Sequence, residues 1–119
     1  MAQTQLKSGL LGAEFFGTAT ALTPAATIDV DFEAASTFTL TPTSNTTLDI
    51  ENNKIGMVKD IIVTGAGSSY TISFTVAGGS GTFNKISGTY DDTSAAKNLI
   101  QIVCVGATEF WYTISQISS

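Results

Sequence analysis

The chain has 119 residues, enough for one domain that buries its own core without disulfides or metals. Its formal net charge is -5, and all five cations are scattered lysines: Lys7, Lys54, Lys59, Lys85 and Lys97. A phosphate backbone demands clustered cations, so this balance argues against nucleic acid as a partner.

Charged residues make up 13% of the chain, against about 25% in ordinary globular domains. Thr and Ser account for 31 residues. Such a surface suits a chain that spends its life packed against other protein, because a solitary monomer keeps more charge for solubility. Cys104 is the single cysteine, so no disulfide can form within the chain. It sits in the apolar run IQIVCVG, where cysteine acts as a small hydrophobe. No run approaches the roughly 20 apolar residues of a membrane span. The N-terminal stretch MAQTQLKSGLLGAEFFGTATALTPAA is interrupted by Glu14, so a signal peptide is not expected.

In chain order, residues 1–24 read as an N-terminal arm that docks on something, and residues 25–119 as the folded domain. Leu6, Leu10 and Leu11 form a short apolar stripe in the arm, interrupted by glycine, and Phe15 and Phe16 follow. Phe15 to Leu22 is a weak strand candidate, ended by Pro24. Ile28, Val30 and Phe32 alternate with Asp29, Asp31 and Glu33, which predicts a half-buried strand with an acidic outer face. Phe38 and Leu40 alternate with threonines, and Pro42 ends that strand. Leu48 and Ile50 alternate with Thr47, Asp49 and Glu51 before the turn ENNKIG.

Val58–Thr64 and Tyr70–Val76 read as a hairpin across GAGSS. Phe83 and Ile86 suggest a short strand between the loops AGGSGT and SGTYDDTSAAKN. Leu99–Val105 and Glu109–Ile117 read as a second hairpin across GAT. The strand 99–105 is apolar on both faces. Ile100, Ile102 and Cys104 point one way, and Leu99, Val103 and Val105 point the other. Trp111 and Ile117 share the second face on the next strand. An antiparallel sheet with one wet face alternates cleanly, so a second subunit or the arm is expected to cover these residues. The sum is an all-β fold: an antiparallel β-sandwich or jelly roll of about eight short strands with an extended N-terminal arm.

Chemistry is scarce. Without histidine there is no imidazole base, no Ser-His-Asp triad and no usual zinc site. Cys104 likewise lacks a histidine to make it a thiolate. Asp91–Asp92 in SGTYDDTS reads as turn chemistry rather than a catalytic pair. Asp29, Asp31, Glu33, Asp49 and Glu51 could meet on one face as oxygen ligands for calcium, but the spacing of a calcium loop is absent. GAGSSY lacks the lysine and following helix of a phosphate loop. Trp111, Tyr90 and Tyr112 are candidates for stacking on sugars, with packing as the plainer role. No enzyme activity, cofactor or metal is expected.

Several stretches resemble small β-rich structural proteins of tailed bacteriophage virions. AQTQLKSGLLG resembles openings of fibre and decoration chains. FTLTPTSNTTLDIENNKIGMVKDIIVTGAGSSYTISF resembles the β-repeats of fibre tips, and IQIVCVGATEFWYTISQI looks like their terminal hairpin. The resemblance covers most of the chain. It implies a non-enzymatic virion protein, a homotrimer assembled in the host cytoplasm. Within that class a short chain with an arm implies a capsid decoration, or cement, protein that binds the head surface and stabilises the shell. Its partners would be the major capsid protein or another virion protein. Leu6, Leu10, Leu11, Phe15, Phe16, Leu99, Val103, Val105 and Trp111 would form the capsid or subunit interface. The alternative is a tail-fibre, tail-tip or head-fibre adhesin module that binds a host glycan. Neither reading calls for nucleic acid or a membrane.

Overall fold

The computed structural model describes residues 19–117. Nine strands follow in order: β1 (Ala19–Ala21), β2 (Thr27–Asp31), β3 (Thr37–Leu40), β4 (Thr46–Glu51), β5 (Val58–Thr64), β6 (Ile72–Val76), β7 (Thr82–Ser87), β8 (Lys97–Cys104) and β9 (Glu109–Gln116). No helix occurs among the described residues. The all-β expectation therefore holds.

The antiparallel expectation does not. The strands form a six-stranded sheet in the order β1-β3-β5-β8-β9-β7 and a three-stranded sheet in the order β2-β4-β6. Up to β6 the chain alternates between the two sheets, so each strand pairs with the one two places on and lies parallel to it. This winding is that of a β-solenoid, not of a sandwich or jelly roll. The last part breaks the pattern. β8 runs antiparallel to both β5 and β9, and β7 lies parallel to β9 at the sheet's edge. The β8–β9 hairpin thus occupies the place beside β5 that the next turn of the solenoid would take.

The expected second hairpin is present as β8–β9. The expected first hairpin is not: β5 and β6 lie in different sheets. The reason is the connection. Gly67 and Ser69 both take positive φ, 81° and 59°, and the loop leaves the plane of β5 instead of turning back beside it. β1 falls within the segment read as an arm and pairs with β3.

The core lies between the sheets. Ile28, Val30, Leu48 and Ile50 face Phe38, Ile61, Val63, Ile100 and Ile102, all buried. A chain of rings ties the layers together. Phe32 meets Phe110 edge-on at 6.2 Å between centroids. Phe110 stacks on Phe83 at 4.9 Å, Phe83 on Phe74 at 5.3 Å, and Phe74 tilts against Tyr112 at 4.9 Å. Such pairs add about 0.5–1.5 kcal/mol each beyond the area they bury. Lys59 also points inward and is buried; its Nζ donates to the carbonyl of Ala35 at 2.8 Å and stands 5.9 Å from the Phe32 ring centre.

Candidate functional site

Two surfaces and one carboxylate cluster come out of this fold. The first surface is the outer face of the six-stranded sheet. Alternation along the strands places Val58, Asp60 and Ile62 of β5, Leu99, Gln101 and Val103 of β8, and Trp111, Thr113 and Ser115 of β9 on that face. Register sets them in rows. Val58, Val103 and Trp111 form one row across three strands, and Ile62, Leu99 and Ser115 another. Between them runs a polar row, in which Gln101 Nε2 donates to Asp60 Oδ1 at 3.1 Å and the hydroxyls of Thr113 and Ser87 lie 2.9 Å apart. A shallow hollow of about 230 Å³ lies over the first row, with Ile86 on its rim.

Val58 is 59% exposed, Ile86 67%, Val105 36% and Trp111 46%, so no layer of the described residues covers this face. Trp111 is nonetheless held in place: its Nε1 donates to Glu109 Oε2 at 3.1 Å, and Asn84 Nδ2 reaches the same oxygen at 3.3 Å. The register thus brings Leu99, Val103 and Trp111 to one face, and Val105 follows β8, exposed. Leu6, Leu10, Leu11, Phe15 and Phe16 lie outside the described residues.

The second surface is built around Asp92. Its carboxylate is buried at the meeting of the loops after β5 and before β8. Oδ1 accepts the Ala66 amide at 3.0 Å and the Tyr90 hydroxyl at 2.5 Å. Oδ2 accepts the amides of Ser68 at 3.0 Å and Tyr70 at 2.9 Å, and the Asp92 carbonyl accepts the Gly67 amide at 2.6 Å. Burial pushes this carboxyl up, but the Tyr90 hydroxyl and the three amides outweigh it and hold it well below the usual carboxylate range. Burial, with the neighbouring Asp92, pushes the Tyr90 hydroxyl far up, so it stays protonated and donates. Asn98 locks the same loop from below. It is buried, its Oδ1 accepts the Asp91 amide at 2.9 Å, and its Nδ2 donates to the carbonyls of Asp91 at 2.8 Å and Val63 at 3.1 Å.

Over this frame opens a cleft of about 650 Å³ lined by Gly67, Ser69, Tyr70, Tyr90, Asp91, Asp92, Thr93 and Ser94. The sequence treats the two loops as separate turns, and singles out Tyr90 as a stacking candidate and Asp91–Asp92 as turn chemistry. Nothing in the spacing of GAGSSY and TYDDTS says that they meet. The one legible clue is Asp92 itself, an acid without a basic neighbour in sequence, which must find amide donors if it is buried.

The carboxylate cluster lies on the outer face of the three-stranded sheet. Asp29 stands beside Asp49 in register, and each of Asp29, Asp49 and Glu51 offers an oxygen within 4.8 Å of the others. Asp49 is buried; its Oδ1 accepts the Thr75 hydroxyl at 2.7 Å and the Gly78 amide at 3.0 Å. Its burial raises the carboxyl, but the bonds from Glu51, Thr75 and Gly78 win and lower it. Glu51 is raised, first by its hydrogen bond to Asp49. Asp49 thereby ties down the turn after β6. Three oxygens are at most half of the six to eight that calcium takes. Asp31 is used elsewhere, accepting Asn52 Nδ2 and the Glu33 amide at 2.9 Å each. Glu33 pairs with Lys54 at 3.0 Å on the surface.

No family model, no curated protein and no solved structure matches this chain.

Proposed function

We propose that the chain is a bacteriophage virion structural protein of the capsid-decoration kind, working by binding rather than catalysis. The observation that carries this reading is the row Val58, Val103 and Trp111 on the outer face of the six-stranded sheet, with Ile86 and Val105 beside it. Exposed apolar side chains gathered on one rigid face mark a surface that another protein covers. The low charge and the resemblance of AQTQLKSGLLG and IQIVCVGATEFWYTISQI to virion chains support the same reading.

In this account copies pack as a trimer through the sheet face, and Leu6, Leu10, Leu11, Phe15 and Phe16 dock on the major capsid protein. Binding the assembled shell and not its free subunits stabilises the shell by mass action. Deleting residues 1–16 tests it: co-sedimentation with assembled heads is lost while the folded domain keeps its circular dichroism and melting transition. Undiminished occupancy on heads sinks the reading.

A fibre or tail-tip module is the second reading. It is favoured by the winding of β1 to β6, because a solenoid grows along one axis by stacking turns.

A further inference from the structure

All three tyrosines of the chain line one groove. Tyr70 and Tyr90 line the Asp92 cleft, and both also line an adjoining hollow of about 250 Å³ with Tyr112, Lys85 and Thr89. On its other side the cleft shares Asp91, Thr93 and Ser94 with a third hollow of about 380 Å³ that reaches Lys97 and Gln116. The three hollows form a continuous open path, with aromatic rings at the middle and one end and hydroxyls along it. We propose that this groove binds a neutral oligosaccharide.

The chemistry favours that class. A pyranose presents an apolar C–H face, which stacks on an aromatic ring, and a rim of hydroxyls, which donate to carboxylates and accept from hydroxyl and ammonium groups. Tyr70 and Tyr90 supply rings. Asp91 supplies an exposed carboxylate, while Ser69, Thr93 and Ser94 supply hydroxyls. The buried negative charge of Asp92 and the exposed Asp91 sit at the centre, so phosphorylated, sulfated or uronic ligands are repelled there. An apolar peptide would need a deep side-chain pocket, and the path is shallow and mixed in polarity.

The groove is also preorganised. The Asp92 carboxylate fixes the amides of Ala66, Ser68 and Tyr70, so the Tyr70 loop is held before any ligand arrives. Ser69 and Ala95 hold left-handed backbone at φ 59° and 68°, a strained conformation for residues with a side chain, and each lines one of the joined hollows. The path runs over Tyr112, whereas the apolar row runs over Trp111 on the opposite side of β9. The groove is therefore separate from the surface on which the assembly reading rests, and either can fail without the other.

The test is a ¹H–¹⁵N titration of the full chain with maltohexaose, cellohexaose, chitohexaose and mannohexaose, at up to about 10 mM, which covers millimolar affinities. Hyaluronan hexasaccharide and a Thr/Ser-rich peptide serve as the acidic and peptide comparators. The expected result is saturable shifts at Ser69, Tyr70, Tyr90, Asp91 and Ser94 with at least one neutral sugar. Tyr70→Ala, whose side chain takes no part in the Asp92 frame, and Asp91→Asn, which keeps an acceptor for the Thr93 amide and removes the charge, should each weaken binding about tenfold with the rest of the spectrum unchanged. Four outcomes overturn the proposal: no shift with any neutral sugar, shifts confined to the Trp111 face, binding of the acidic or peptide probe in place of the neutral sugars, or equal affinity in both variants.

Discussion

Asp92 and Tyr70 are 22 residues apart, yet the Asp92 carboxylate accepts the Tyr70 amide at 2.9 Å, and with Ser68 and Ala66 it closes the loop that carries the chain from one sheet to the other. This side chain thus braces the loop whose left-handed turns at Gly67 and Ser69 carry the chain from β5 across the core to β6. Asp92→Ala leaves three amides and the Tyr90 hydroxyl without their acceptor. These bonds are part-buried, and a net hydrogen bond contributes about 0.5–1.5 kcal/mol, so chemical denaturation should show a loss of at least about 2 kcal/mol. Asp92→Asn should lose less, because one amide oxygen remains. The pH dependence follows from the lowered carboxyl. A depressed folded-state pKa contributes stability that is present above the ordinary value of 3.8 and is lost as pH falls below it. The stability gap between wild type and Asp92→Asn should therefore be constant from neutral pH down to about 4 and close below it.

Glu51 has the opposite sign. Its carboxyl is raised by Asp49, so its contribution is present below the ordinary value of 4.5 and lost as pH rises through the shifted one. At neutral pH two carboxylates face each other with Asp29 close by. Glu51→Gln keeps a donor for Asp49 and removes a charge. Thermal melts should show a higher midpoint than wild type at pH 7 and no gain at pH 4. A lower midpoint at pH 7 would mean that the cluster holds a cation in solution.

Gly88 follows β7 with φ 92°, and a Cβ there would overlap the carbonyl oxygen of Ile114. Neither the backbone nor the space admits a side chain. Gly88→Ala should cost at least about 2 kcal/mol and loosen β7 from β9. Amide exchange would register the loosening as lost protection at Thr82–Ser87 with β8 unchanged. A wild-type melt for this variant would show that the edge strand yields freely.

The apolar row predicts a clean separation of folding from association. Val103 is half-exposed and Trp111 46% exposed, so Val103→Lys with Trp111→Lys removes no core contact. Surface changes away from special features stay within about 0.5 kcal/mol. Sedimentation velocity should show the wild-type chain as trimer and the double variant as monomer with an unchanged melting point. A wild-type chain that sediments as monomer at all concentrations would remove the sheet face from the account.

Much of the strand layout was legible. Alternation in TIDVDFE, TFTL and TTLDIE located β2, β3 and β4, and the doubly apolar IQIVCVG located β8 and put Val103 and Leu99 on its second face. The parallel winding was written in the sequence but is easy to miss. TIDVD and TLDIE are the same pattern 20 residues apart, and they stack in register, Thr27 on Thr47, Asp29 on Asp49, Asp31 on Glu51. Alternation fixes which face a residue takes. It says nothing about which strand lies beside it, and a glycine-bearing loop of this length permits either a hairpin or a crossing to the other sheet. Of the tyrosine groove, the sequence offered Tyr90 and Tyr112 as separate stacking candidates, and neither Tyr70 nor the joining of the three rings was legible. Tyr70 and Tyr112 occur in two copies of YTIS that look like plain strand periodicity, and only the tertiary fold brings both beside Tyr90.

The proposed function turns on whether this chain sits on a virion head as a trimer closed through the sheet face. Quantitative mass spectrometry of separated phage heads and tails tests that proposal most directly. The account predicts the chain in heads, in copies that scale with the capsid lattice, with Val58 and Ile86 protected from hydroxyl-radical labelling on the particle and in the free trimer, and labelled in the monomeric double variant. Recovery in tails or in the soluble fraction, or a face labelled on the particle as fully as in the monomeric variant, would contradict it.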